Sequence, residues 1–159
     1  MNQNKVIHPL KPIYTNTSKY LFLGSFPSVI SRKDNMYYAN PNNRFWKVMS
    51  VIFEEEIEDK EKFCYKHDIA LWDVIRECSI IGSSDASIKD IEINDIESLI
   101  KNSDIKVICT NGSKATSLYD KYINLDIKHV SLPSTSSANA RFKLDDLVKE
   151  YRKVFEWNY

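Results

Sequence analysis

An α/β fold, with a mostly parallel sheet covered by helices on both faces, is what this sequence predicts, and three observations carry the prediction. Short apolar runs closed by a turn or polar residue recur along the chain: Tyr20-Leu21-Phe22-Leu23 before Gly24, Ile69-Ala70-Leu71-Trp72 before Asp73, Lys106-Val107-Ile108-Cys109-Thr110 before Asn111-Gly112, and Ile127 to Leu132 before Pro133. Runs of this length and punctuation read as buried strands. The stretches between them carry apolar residues at helical spacing, and strands that alternate with helices pair in parallel through right-handed crossovers. The 159 residues, 43% hydrophobic and 28% charged, match the composition of a soluble globular protein and suffice for one domain spanning 1–159 with its own core.

The elements follow in order. Met1 to Lys19 is expected to wrap the surface ahead of the first strand. A helix is expected from Pro41, because Asn40 suits an N-cap and proline suits the first helical position, where its missing N–H costs nothing. Phe45, Met49 and Ile52, with Trp46 and Val48 beside them, give that helix an apolar face. Ile88, Ile91, Ile96, Leu99 and Ile100 suggest one or two short helices before the third run, and Ser113 to Tyr122 another before the fourth. Leu144, Leu147, Val148, Tyr151 and Phe155 mark a closing helix.

Composition excludes several classes. No stretch approaches the roughly 20 apolar residues of a membrane span, and residues 1–18 lack the apolar core of a signal peptide. A cytoplasmic location without membrane partners is expected, nucleoid-associated if the source is bacterial. Cys64, Cys78 and Cys109 lie far apart without paired spacing, so they read as buried thiols rather than ligands of a metal or halves of a disulfide, and no cofactor is expected. With 22 basic and 22 acidic residues, any role on nucleic acid must rest on local asymmetry, such as the acidic run Glu54 to Asp59 against Arg141, Lys143, Lys149, Arg152 and Lys153. Both clusters also fit solvated helix faces.

Two loops concentrate the residues with chemistry. Gly24-Ser25-Phe26-Pro27-Ser28, running on to Tyr37-Tyr38-Ala39-Asn40-Pro41-Asn42-Asn43-Arg44-Phe45-Trp46, leaves the first strand; Leu132-Pro133-Ser134-Thr135-Ser136-Ser137-Ala138-Asn139 leaves the fourth. Loops at the carboxyl ends of parallel strands line the ligand crevice, so the two can close on one site. Phe26, Tyr37 and Tyr38 offer flat faces on which a base could stack, although Phe26 and Tyr37 equally fit core packing. The hydroxyls of residues 134 to 137, with nearby backbone N–H groups, can hold a phosphate or simply form a serine-rich turn.

Together the loops resemble the uracil-DNA glycosylase superfamily, closest to its hypoxanthine-DNA (deoxyinosine) glycosylase branch and similar to the mismatch-specific uracil-DNA glycosylases. The matching words are the two loops, Leu71-Trp72-Asp73-Val74-Ile75 with Cys78, and Thr110-Asn111-Gly112-Ser113-Lys114-Ala115, in the family's order from Leu21 to Ala140. The resemblance implies a three-layer α/β/α sandwich whose four-stranded parallel sheet runs in the order 2-1-3-4. It implies a monofunctional enzyme that flips a deaminated base (hypoxanthine, or uracil or xanthine) out of DNA and hydrolyses its N-glycosidic bond. The chain would act as a monomer on DNA carrying a deaminated or mismatched base.

The residue roles implied are specific. Mismatch-specific relatives carry a water-activating Asn in Gly-Ile-Asn-Pro-Gly, where this chain has Phe26; the hypoxanthine branch also lacks that Asn and uses a downstream His-Pro-x-Asn segment, whose Asn falls on Asn43 and whose His is here Asn40. Asn43 is therefore the expected catalytic residue, with a polar position in the first helical turn as the plain alternative. Ser25, Phe26, Tyr38 and Asp73 are expected around the base, Asp73 because uracil enzymes read the base from the end of that strand; a helix cap is its alternative. Ser134, Thr135 and Ser136 are expected on the DNA phosphates. Leu-Pro-Ser-Thr-Ser replaces the family's His-Pro-Ser word, and His129, within the strand, is expected to be structural. A binding module that keeps the loops without chemistry is the competing reading, while a small-molecule enzyme is disfavoured by the absence of a dinucleotide fingerprint, a phosphate loop or a nucleophile elbow.

Overall fold

The computed structural model describes residues 4–157. Its elements run β1 (Asn4–Ile7), β2 (Tyr20–Gly24), α1 (Val29–Asp34), α2 (Phe45–Phe53), α3 (Lys60–Lys66), β3 (Ile69–Asp73), β4 (Ile75–Ile80), β5 (Lys89–Ile93), α4 (Ile96–Lys101), β6 (Val107–Asn111), α5 (Ser113–Tyr122), β7 (Lys128–Leu132) and α6 (Leu144–Glu156). β3, β2, β6 and β7 form a parallel sheet in that order. Counting the parallel strands alone, this is the expected order 2-1-3-4.

The strand residues alternate between two cores, as the two-residue period of a strand requires. Phe22, Leu71 and Cys109 pack on one face with Phe45 and Met49 of α2 and Leu147 and Tyr151 of α6. Leu21, Leu23, Ala70 and Ile108 pack on the other with Ile96 and Leu99 of α4 and Leu118 of α5. Phe22 lies parallel to Tyr151 at 6.1 Å and edge-on to Phe45 at 5.7 Å, so the first core is largely aromatic. Cys64, Cys78 and Cys109 are all buried free thiols.

Three expectations are corrected. The helix expected from Pro41 begins at Phe45. The Asn40 carbonyl accepts from Asn43 N–H at 2.8 Å, and Asn40 Oδ1 from Asn42 N–H at 2.9 Å, so Pro41 occupies a tight turn. Proline's fixed φ serves the second position of such a turn as well as a first helical position. Ile88 and Ile91 belong not to a helix but to the approach to β5 and the strand itself, which with β1 and β4 makes a second, antiparallel sheet in the order β1-β4-β5. Residues 1–19 do more than wrap the surface. From Asn4 onward they supply β1; Leu10 and Ile13 are buried, and Ile13 and Leu71 exchange both backbone hydrogen bonds at 2.9 Å, closing the outer edge of β3.

Register brings the strand ends level. Gly24 lies opposite Asp73, Leu23 opposite Thr110, and Asn111 opposite Leu132. Four carboxyl ends therefore open on one rim, where an α/β sheet binds its ligands.

Candidate active site

A cleft of about 210 Å³ opens on that rim between the two loops. Ser25, Phe26, Tyr38, Asn43, Asp73, Ser134 and Ser136 all line it. Of the expected site residues only Thr135 is absent from the wall.

Asn43 sits between the Asn40 turn and α2. Its Oδ1 accepts from Phe45 N–H at 2.9 Å and from the Thr135 hydroxyl at 2.8 Å. A backbone N–H only donates, so this contact fixes which end of the amide is oxygen. Both lone pairs of Oδ1 are used, and the Asn43 NH2 donates to no described residue. Asn43 thus offers donors, not an acceptor, to whatever enters.

Thr135 is the node behind it. The residue is 0% exposed; its hydroxyl accepts from Asn111 Nδ2 at 3.0 Å while donating to Asn43, and its N–H donates to Asn111 Oδ1 at 3.0 Å. Buried in this way, Thr135 cannot touch a phosphate and drops out of the expected grip, of which Ser134 and Ser136 line the cleft. Each of those hydroxyls accepts a backbone N–H two residues on, from Ser136 at 3.1 Å and from Ala138 at 3.2 Å, which leaves its own hydrogen to donate.

Arg44, which carried no expected role, holds this loop in shape. Its guanidinium donates to the carbonyls of Thr135 (3.3 Å), Ser136 (2.6 Å), Asn139 (3.1 Å) and Phe142, and its backbone N–H to Thr135 O at 3.0 Å. Only the forked, planar guanidinium reaches so many acceptors at once.

Asp73 ends β3 with 5% of its side chain exposed. Its Oδ2 meets Nε2 of His8 at 2.7 Å, while Oδ1 lies against Gly24. A Cβ on residue 24 would collide with Oδ1, so glycine is required there for close approach. The carboxylate does not cap a helix; it hydrogen-bonds a buried imidazole from the N-terminal segment. Asn94 supports the strand end, donating to the carbonyls of Asp73 (2.9 Å) and Ile75 (3.1 Å).

The aromatic residues divide. Phe26 is 8% exposed, with the Arg32 guanidinium 5.5 Å above its ring and His8 against it edge-to-face at 5.8 Å, so it is chiefly a core side chain that forms part of the wall. Tyr37 is core, its hydroxyl donating to Lys11 O at 2.8 Å. Tyr38 stacks on Phe45 at 4.2 Å, leaving one face at most for a base. Its φ of 55° is unusual for a bulky residue, and its buried hydroxyl has no hydrogen-bond partner. Burial, reinforced by the charge of Asp73, holds that phenol far above its usual pKa; the Asn111 amide opposes this weakly, without bonding geometry.

Asp85 and Ser25 complete the wall. Ser25 Oγ donates to Asp85 Oδ1 at 3.1 Å. Although residue 85 is exposed overall, its carboxylate turns into the cleft, and burial there raises its pKa against the opposing pull of Ser25 and Lys114. His129 bonds Thr110 Oγ1 at 2.9 Å within the sheet, away from the cleft lining, and burial lowers its pKa. His8 and Asp85 gave no local signal in the sequence. Asn111 did, as the polar residue closing an apolar run.

A parallel α/β sheet whose strand ends hold a small cleft lined by polar and aromatic side chains carries its candidate site where open α/β sheets bind their ligands. The chain belongs to the uracil DNA glycosylase superfamily, whose family model matches residues 12–156. A Methanosarcina acetivorans protein named hypoxanthine DNA glycosylase is 36% identical over 149 residues, covering 90% of this chain and 94% of that one. A Methanosarcina barkeri protein of the same name is 29% identical over 137 residues, covering 82% and 86%. The solution NMR structure of a candidate uracil DNA glycosylase from Methanosarcina acetivorans superposes with a TM-score of 0.80 at 33% identity, covering 94% and 97%.

Proposed function

We propose that this protein is a monofunctional DNA glycosylase that hydrolyses the N-glycosidic bond of an extruded deaminated base, hypoxanthine foremost. The observation that carries this reading is the Asn43 amide, anchored through its oxygen by Phe45 and Thr135 and offering its NH2 to a cleft at the strand ends. The family and the two named relatives support the reaction class and the base.

Extrusion costs a few kcal/mol, least for a base that pairs poorly, so damage helps to select itself. Bond cleavage develops positive charge on the sugar and negative charge on the leaving base. Donors fixed in advance stabilise such charge without reorganising. Asn43 Nδ2 holds the attacking water by donating to its oxygen, and the second water lone pair adds to the sugar cation. The released proton passes to solvent or to Asp85, the carboxylate in the cleft with the raised pKa. Among the described residues no lysine lines the cleft, in keeping with hydrolysis rather than a Schiff base. Ser134 and Ser136 hold the flanking phosphates.

End-labelled duplexes bearing hypoxanthine, uracil, xanthine or a G·T mismatch, treated with alkali after incubation, test the reading: strand cuts are expected with hypoxanthine first. Borohydride trapping of a protein–DNA adduct would overturn the monofunctional mechanism. Tight DNA binding without base release would favour a binding module.

A further inference from the structure

We propose that His8 sets the base selectivity of the cleft by occupying one oxygen of Asp73, so that the carboxylate reads a single ring N–H and refuses guanine. The inference rests on the glycosylase reading above and adds a residue and a selection rule to it.

His8 is a buried imidazole, its side chain 2% exposed, brought to Asp73 behind the cleft wall from a segment more than sixty residues away in sequence. Its Nδ1 faces the Leu10 backbone, 3.0 Å from the carbonyl and 3.3 Å from the N–H, and its ring abuts Phe26 and Tyr37. The ring cannot turn freely, and Nε2 is committed to Asp73 Oδ2 at 2.7 Å. Oδ1 is left as the acceptor, against Gly24 on the cleft floor, and receives no hydrogen bond from a described residue.

The complementary donor is already there. Tyr38 OH lies 3.6 Å from the point a Gly24 Cβ would occupy, beside Asp73 Oδ1, and no partner satisfies it. Its raised pKa keeps the proton on. A left-handed backbone on a tyrosine and an unsatisfied buried hydroxyl at the same residue are costs that persist where function requires them. Once an entering base displaces the packing over the buried Tyr38 hydroxyl, that donor and the Asp73 acceptor complement a ring carbonyl beside a ring N–H, the edge shared by hypoxanthine, uracil and xanthine.

The normal purines fail for different reasons. Adenine presents a ring nitrogen lone pair where Asp73 needs a hydrogen, and an amino group where Tyr38 needs an acceptor. Guanine keeps the ring N–H but adds an amino group beside it, and a free carboxylate would accept both hydrogens with its two oxygens. With His8 on one lone pair of Oδ2 and its buried ring packed beside that oxygen, the guanine amino group is denied the space and direction from which it would donate to Oδ2. His8 is thus a positioning residue, and what it positions against is the commonest purine bearing the same lactam edge.

Two variants separate the donor of His8 from its bulk. His8→Phe keeps a ring and removes the donor; His8→Gln keeps an amide donor and removes the ring. NMR titration of the full-length protein with 2′-deoxyinosine and 2′-deoxyguanosine, alongside single-turnover release of hypoxanthine from a duplex, gives the readout. Wild type and His8→Gln are expected to keep the preference for deoxyinosine, and His8→Phe to shift the affinity ratio toward deoxyguanosine by about tenfold, the worth of one misplaced buried hydrogen bond. An unchanged ratio in folded His8→Phe overturns the proposal, as does loss of the preference in His8→Gln; the latter result decides even if His8→Phe does not fold. Selective nucleoside binding by a wild type that releases no base would instead sink the glycosylase reading and leave the selection rule standing.

Discussion

At the scale of single residues, three positions carry distinguishable predictions. Thr135 joins Asn111 to Asn43 from a fully buried position, so Thr135→Val keeps the shape and strands two amide groups. It should cost about 1–3 kcal/mol in urea unfolding and slow base release although the residue touches no DNA. Gly24→Ala places a methyl group against Asp73 Oδ1. Nucleoside binding and stability should fall together, since the buried carboxylate held by His8 must move to make room. Asp85, with a pKa raised by burial, is ionised only above that raised value. If it takes the proton, the rate should decline on acidification from a higher pH than an ordinary carboxylate would set, and Asp85→Asn should remove that limb of the pH profile.

Elements show why some of this was legible and some not. β2, β3 and β6 are legible because each is a short apolar run, buried on both faces, that ends in Gly24, Asp73 or Asn111, and β7, a half-exposed edge strand, is marked by the Pro133 that follows Leu132. The start of α2 was not, because Asn40-Pro41 encodes a turn and a helix entry equally well and the choice is made by Arg44, whose guanidinium must face the 135–142 carbonyls. β5 was misread since the isoleucines 88, 91, 93 and 96 fit a helical and a strand period over so short a stretch. Arg44→Lys keeps the charge and loses the fork. It should destabilise the protein by about 1.5–3 kcal/mol and raise amide exchange across residues 134–142, with a fall in phosphate-dependent DNA affinity as Ser134 and Ser136 lose their setting.

At the scale of the whole molecule, the site is assembled from segments that no local pattern connects. Asn43 and Asp73 stand out from the family words, Asn111 appears there only as part of a matching word, and Thr135 is expected on phosphate although it is buried behind Asn43; His8 carries no signal, because a lone histidine in a segment of mixed polarity has no period and its partner lies across the fold. The N-terminal segment is part of the core as well as the source of His8. Removing residues 1–13 would expose the edge of β3 and delete the buried Leu10 and Ile13, each worth about 1.5–3 kcal/mol, so the truncated chain should unfold at markedly lower urea and lose base selectivity with it. The central claim is that an asparagine held by its oxygen positions the water that releases the base. Single-turnover alkaline-cleavage assays on a hypoxanthine duplex, comparing wild type with Asn43→Ala, test it most directly. A fall of about 10²–10³ in rate with DNA affinity nearly unchanged is the predicted result, the size of losing one fixed donor in a transition state; a variant that releases hypoxanthine at the wild-type rate would contradict it.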